Sequence, residues 1–335
     1  MLLWIEFILC GIIIIFCGAK LSKYGDVIAE KTGFGGAWTG LILMASVTSL
    51  PELITGISAV TIAGVPDIAA GDLMGASVFN LLTLALLDPM DKGSPIFSKI
   101  GQSHVLSAGF GILMLGLVSV SILLGDIVPS LFNAGLYTPI LIFTYIIAIR
   151  AIYYYERRAI VKIAKEVSEK LQYTHIPLKK AVVMYSLYAA IVISAAMALP
   201  FVAGRIASTT GLGDNFMGTF FVAGITTLPE LAVSISAIRI GAADLAIGNL
   251  LGSNMFNMAL LAIDDIFYMK GPLLKDISSM HATTGIMAML MTAIALIGIS
   301  YRPEKKAFLR FGWDSFTMAV IGVINMVLIY LKQGG

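Results

Sequence analysis

About ten apolar stretches, each long enough to cross a bilayer, follow one another along this chain. They fall near residues 3–20, 36–62, 66–87, 103–125, 131–155, 180–203, 214–240, 243–264, 281–300 and 311–331. Hydrocarbon offers no partner to a backbone N–H or C=O, so such stretches must close their hydrogen bonds internally, as helices. Composition agrees: 58% of the 335 residues are hydrophobic and only 13% are charged, against about 25% charged in soluble domains. The expected fold class is all-α, a polytopic membrane protein. The stretches 36–62 and 214–240 are too long for simple spans and each contains a Pro-Glu pair, so both are expected to be broken or strongly tilted.

Basic residues set the expected orientation. Eighteen of the 22 Lys and Arg residues fall in one set of alternate loops, including Lys20, Lys23, Lys31, Arg157, Arg158, Arg302 and Lys306. Only Arg205, Lys270, Lys275 and Lys332 fall on the other side. The first set is expected to be cytoplasmic and both termini external, in a multi-pass protein of the cell membrane. The first apolar run lacks a basic leader and a small-residue cleavage site, so it is expected to be retained as a span. Cys10 and Cys17 lie within it as small buried residues, with no disulfide or metal framework around them.

Two long blocks of sequence match at a nearly constant offset. Thr48-Ser49-Leu50-Pro51-Glu52-Leu53 corresponds to Thr226-Thr227-Leu228-Pro229-Glu230-Leu231, 178 residues later. Gly71–Asn80 corresponds to Gly248–Asn257, and Asp67, Asp88 and His104 to Asp244, Asp265 and His281, all at 177. Five spans per half put the second half in the opposite orientation. The expectation is two inverted-topology five-helix repeats, 1–155 and 180–335, with matching blocks at about 40–88 and 218–265. The segment 156–179 joins them as a cytoplasmic linker, with Ile160, Ile163, Ala164, Val167 and Leu171 at helical spacing opposite Lys and Glu.

A carboxylate near a bilayer centre costs roughly 2.5–3.5 kcal/mol even on lenient scales. This chain meets that cost twice, at Glu52 and Glu230, and the default expectation is a cation site. Proline cannot donate to the carbonyl four residues back, so Pro51 frees that of Val47 and Pro229 that of Ile225. Thr48 and Thr226 lie one turn before the glutamates on the same helical face. Each block thus offers hydroxyl, carbonyl and carboxylate oxygens, the donors of hard cations. Gly71, Gly75, Gly248 and Gly252 allow close helix approach, and Asn80 and Asn257 each add an amide oxygen. Asp67 and Asp244 are expected to cap the helices they precede. The repeated Asp88/Asp265 and His104/His281 suit either a structural Asp–His link between neighbouring helices or a proton relay. No HExxH or nucleophile–base pair suggests an enzyme.

These blocks resemble the two α-repeats of the calcium/cation antiporter superfamily, which includes the sodium/calcium exchangers, and the resemblance covers nearly the whole chain. It implies cation sites between the second, third, seventh and eighth spans, with the first and sixth sliding across them. Carried over by position, the implied ligands are Thr48, Ser49, Glu52, Asn80, Thr226, Thr227, Glu230, Ser253 and Asn257. The glutamates would hold Ca²⁺; hydroxyls and backbone carbonyls would serve Na⁺. No cofactor or nucleic acid is implied, only inorganic cations and lipid.

Three departures bear on the coupling ion. Ala76 stands where the family has serine, matching Ser253 in the other half. Ser77 is adjacent but about 100° round the helix. Asn257 replaces the aspartate of several relatives, and Asp72 replaces an asparagine-like position held by Asn249. Asp72 and Ser77 are further candidate ligands, with Asp72 either beside the site or in a vestibule. Two glutamates balance one Ca²⁺, two Na⁺ or two protons. A proton-coupled Ca²⁺ antiporter, or one for Mg²⁺ or Mn²⁺, is the alternative to sodium coupling; a passive channel is the rival from another class.

Overall fold

A computed structural model describes residues 1–32, 48–91, 94–163, 175–306 and 311–332. Helix α1 (Leu2–Thr32) is followed by α2 (Leu50–Ser58), which continues as a π-helical turn, Ala59–Ala63. Next come α3 (Pro66–Leu87), α4 (Ser103–Leu124), a small hairpin of β1 (Ser130–Leu131) and β2 (Ala134–Gly135), and α5 (Tyr137–Ile163). The second half holds α6 (Leu178–Thr210), α7 (Asp214–Thr226), α8 (Leu228–Arg239), α9 (Ala243–Phe267), α10 (Met280–Tyr301) and α11 (Trp313–Leu331).

Among the described residues, eight helices are long and apolar enough to cross a membrane, and α7 with α8 makes a ninth, bent by 42°. The bend falls at Thr227, two residues before Pro229, where the proline ring removes a helical hydrogen bond. The remaining expected span is represented by Leu50–Ala63; its first part, with Val47 and Gly40, lies outside the described residues. The fifth span starts later than expected, because residues 130–135 form the hairpin. Helix α5 runs past residue 155 to Ile163, while Ala164, Val167 and Leu171 of the linker lie outside the described residues.

Helices α3 and α9 form the centre: 83% of their most apolar window is buried, against 22% for α1 and α6. That difference follows from small residues. A Cβ on Gly71 would stand 2.8 Å from the Thr219 nitrogen of α7, and one on Gly218 would stand 2.9 Å from the Ile68 backbone. The glycines let backbones touch where larger residues would hold them apart. Helices α1 and α6 pack against each other outside this core. Helix α1 meets the bend through Gly11, against Ile225, and Gly18, against Pro229. Helix α2 is tied to α6 by Ser58, whose hydroxyl donates to the Met197 carbonyl at 2.8 Å.

The two halves are stapled by matching contacts. His104 Nε2 lies 3.0 Å from Asp244 Oδ1, and His281 Nε2 lies 3.0 Å from Asp67 Oδ1. The same aspartates accept backbone N–H bonds from Gly101 and Ser278, both at 2.7 Å. Asp67 and Asp244 therefore do not cap their own helices as expected; each carboxylate is turned across the molecule to a histidine of the other half. The Asp–His link exists, with these partners in place of Asp88 and Asp265. Asp88 instead accepts from Ile96 N at 2.9 Å and from Gly312 N. Asp265 accepts from Leu273 N at 2.6 Å, Gly135 N at 2.8 Å, Tyr137 Oη at 2.6 Å and the Thr138 hydroxyl. Both carboxylates gather the loop after their own helix and the start of a distant one, satisfying amides that lipid would leave without partners.

Candidate functional site

The two Pro-Glu turns meet at the centre of the bundle. Glu52 is the third residue of α2 and Glu230 the third of α8, so each carboxylate leaves the first turn of its helix, where the helix dipole favours negative charge. Glu52 and Glu230 are 1% and 0% exposed. Each has one carboxylate oxygen, Oε2, with no hydrogen-bond partner among the described residues.

The hydroxyls expected to serve their own block's glutamate serve the other's. Ser49 Oγ donates to Glu230 Oε1 at 2.9 Å, and Thr48 also reaches the Glu230 carboxylate. Thr226 lies within hydrogen-bonding reach of Glu52 and donates to Asp72 Oδ1 at 2.7 Å. Asp72 is fully buried, with Oδ2 unpartnered; it stands beside the site and not in a vestibule. The cross-lacing is not symmetric. Thr227, the counterpart of Ser49, turns its hydroxyl to the Ala223 carbonyl of its own helix at 2.6 Å. A hydroxyl that donates in this way keeps its lone pairs for a cation.

Helices α3 and α9 supply the amides. Asn80 Nδ2 donates to Asn254 Oδ1 at 3.0 Å, and Asn254 Nδ2 donates to the Ser77 carbonyl at 3.2 Å. Those bonds leave Asn80 Oδ1 without a partner, as are both polar atoms of Asn257 and the Ser253 hydroxyl, all buried. Ser77 Oγ donates to the Leu73 carbonyl of its own helix at 3.0 Å, about 100° round the helix from the position of Ala76. Ile225 ends the turn before Pro229, with its side chain against Gly11 of α1. Asn249 donates to the Glu230 carbonyl at 3.4 Å and to Ser234 Oγ at 3.2 Å, holding the α8–α9 pair together.

Two buried residues escaped the sequence reading. Asn254 bridges α3 and α9, but its match is Ser77, so no repeated amide marked it. Asp264 sits beside the repeated Asp265 and has Leu87 as its own match, so duplication did not mark it.

Chemically, the centre is a buried set of carboxylate, hydroxyl and amide oxygens, the donor type of hard cations. Among the described residues no three His, Cys, Asp or Glu side chains gather tightly enough to hold one ion. A cation here would depend on hydroxyl and amide oxygens as much as on carboxylates.

Known proteins fit this architecture. The family model described as "Sodium/calcium exchanger protein" matches residues 2–197 and again 180–331. A putative antiporter CaxA of Alkalimonas amylolytica is 27% identical over 307 residues, covering 89% of this chain and 90% of its own. The sodium/calcium exchanger MaX1 of Methanosarcina acetivorans is 35% identical over 125 residues, covering 37% of this chain and 33% of its own. Among solved structures, the sodium-calcium exchanger NCX_Mj superposes with a TM-score of 0.59 at 21% identity, over 98% of this chain and 99% of its own. The H⁺/Ca²⁺ exchanger CAX superposes with a TM-score of 0.70 at 12% identity, over 99% and 88%. At these identities the structural likeness concerns the fold alone.

Proposed function

We propose that this chain, which belongs to the sodium/calcium exchanger protein family, exchanges Ca²⁺ for Na⁺ across the membrane by alternating access. It is a multi-pass cation antiporter and not an enzyme. The observation that carries the finer reading is the crossed pair of glutamates: both fully buried, each with a free oxygen, each approached by hydroxyls of the opposite block.

In this reading Glu52 and Glu230 bind Ca²⁺ together, their two charges balancing the ion. Thr48, Thr226, Asn80 and Asn257 complete the oxygen shell. Ser49, Thr227, Ser253 and the carbonyls of Val47 and Ile225 serve Na⁺, and Asp72 adds a third carboxylate within reach of the same threonine. Binding either ion relieves carboxylate repulsion, whereas the emptied site retains it, so the loaded forms cross more readily. The α1–α6 pair would then move over the inverted repeats, its glycines sliding on Ile225 and Pro229. In this reading both termini lie outside and the 156–179 linker in the cytoplasm, on the distribution of Lys and Arg among the loops.

One observation favours proton coupling as the second reading. Position 76, where the resemblance implies a hydroxyl, is alanine, and a third carboxyl, Asp72, is buried beside Thr226 with one oxygen unpartnered among the described residues. A desolvated carboxyl can carry a proton in place of Na⁺. Ca²⁺ uptake into proteoliposomes separates the two. Uptake driven by an outward Na⁺ gradient at equal pH supports sodium coupling; uptake that ignores Na⁺ and follows a pH gradient replaces it with the proton reading. Competition by Mg²⁺ and Mn²⁺ in the same assay measures divalent selectivity.

A further inference from the structure

Three matched positions break the symmetry of the two halves, and they do so together. On one side of the centre stand Gly56 and Asp72 of the first half with Asp264 of the second; the matched residues are Ser234 and Asn249 of the second half and Leu87 of the first. The Ser234 hydroxyl accepts the Asn249 amide at 3.2 Å, so a neutral pair fills that place. On the first side the serine is replaced by a glycine, and the Asp264 carboxylate occupies the space. A Cβ on Gly56 would stand 2.7 Å from Asp264 Oδ1 and 2.8 Å from its Cγ, closer than real Cβ contacts allow.

Asp264 is fully buried, and neither carboxylate oxygen has a hydrogen-bond partner among the described residues. The groups around it do not neutralise it. Helix α3 presents Asp72, close enough for the two charges to repel, and α9 itself presents Asp265. Asp265 is already engaged by Tyr137 of α5, by the Thr138 hydroxyl and by two backbone amides. Glu52 lies one turn from Gly56 on α2. At the nearby 3₁₀ turn Leu273–Lys275, Lys275 is paired with Asp126 at 2.6 Å, and Tyr268 donates to Asp276 at 2.9 Å. A bare buried carboxylate costs several kcal/mol unless a positive charge joins it. A structural role would call for donors, and among the described residues the site supplies none.

We propose that Asp264, seated against Gly56, is a second station for a small cation, H⁺ or Na⁺, reached from the central site by way of Asp72 and built on one side of that site only. The central site is joined to it through Thr226, which bonds Asp72 and reaches Glu52. The opposite side, with Ser234, Asn249 and Leu87, has no such station. The proposal rests on the reading of the centre as a cation site, and it makes the two faces of the transporter chemically unequal.

Infrared difference spectroscopy on the full chain in lipid vesicles tests it. Spectra are recorded for pH steps without Na⁺ and for Na⁺ steps at fixed pH, in wild type, Asp264→Asn and Gly56→Ser. A protonated-carboxyl band that disappears with rising pH in wild type, and is missing from Asp264→Asn, assigns the station to H⁺. A carboxylate band that shifts on Na⁺ addition, and is lost in the variant, assigns it to Na⁺. Gly56→Ser, which keeps the acid but fills its seat, is expected to weaken the same response. Spectra of wild type that superimpose on those of both variants in both titrations overturn the proposal, as does a wild-type Asp264 signal that is constant throughout. Ca²⁺ uptake by wild type in the same vesicles is scored separately, so failure of the exchanger reading is distinguishable from failure of the station.

Discussion

Ser49 donates a 2.9 Å hydrogen bond to Glu230, 181 residues away and in the opposite half of the chain. Neither glutamate's surroundings are therefore complete within its own block. A hydrogen bond to a charged group contributes about 1.5–3 kcal/mol, so Ser49→Ala is expected to weaken apparent Ca²⁺ affinity by roughly tenfold or more. Thr227→Ala, which removes a hydroxyl bonded to its own helix, should change it by less than about threefold. Ca²⁺-dependent uptake rates over a concentration series measure both.

The histidine staples predict a stability effect separable from transport. His281 and Asp67 have side chains 0% and 29% exposed, whereas those of His104 and Asp244 are 5% and 62% exposed. Losing one partner of a buried pair costs about 1–3 kcal/mol, and solvent softens the loss where one partner is wet. Asp67→Asn should lower the melting temperature in detergent more than Asp244→Asn. Transport per folded molecule should remain near wild type in both.

Asp265 organises the far end of α9 through two amides and two hydroxyls. Asp265→Ala would leave those donors without an acceptor, at a cost of several kcal/mol. The expected result is poor recovery of folded protein. Asp276→Asn, which changes an exposed acceptor for the Tyr268 hydroxyl, should be tolerated within about 0.5 kcal/mol. Size-exclusion profiles and thermal melts of the two variants provide the comparison.

Ala76 is fully buried opposite a half that has Ser253. Restoring the hydroxyl with Ala76→Ser should lower the Na⁺ concentration for half-maximal Ca²⁺ exchange severalfold, by about 1 kcal/mol. An unchanged Na⁺ dependence would show that position 76 does not contribute to the coupling site.

Much of this arrangement was legible as periodicity. Apolar run length located the helices, Pro229 located the bend, and the offset of 177 to 178 residues picked out the aspartates, histidines and glutamates that carry contacts. Offset alone could not say which residues face each other. Asp67 looked like a helix cap because it occupies a first turn, yet its carboxylate goes to His281, 214 residues away. Thr48 and Glu52 share a helical face, but hydroxyls crossing between the halves are a property of packing. Asp264 was invisible for the opposite reason: duplication drew attention to what matches, and Asp264 matters where the halves differ.

The most direct test of the account is Ca²⁺ uptake into proteoliposomes by wild type, Glu52→Gln and Glu230→Gln, measured side by side under one ion gradient. Glutamine keeps the size and removes the charge. Each variant, though folded, is expected to lose at least about 100-fold in transport rate, because neither carboxylate can balance a divalent ion alone. Wild-type uptake by either variant would contradict it.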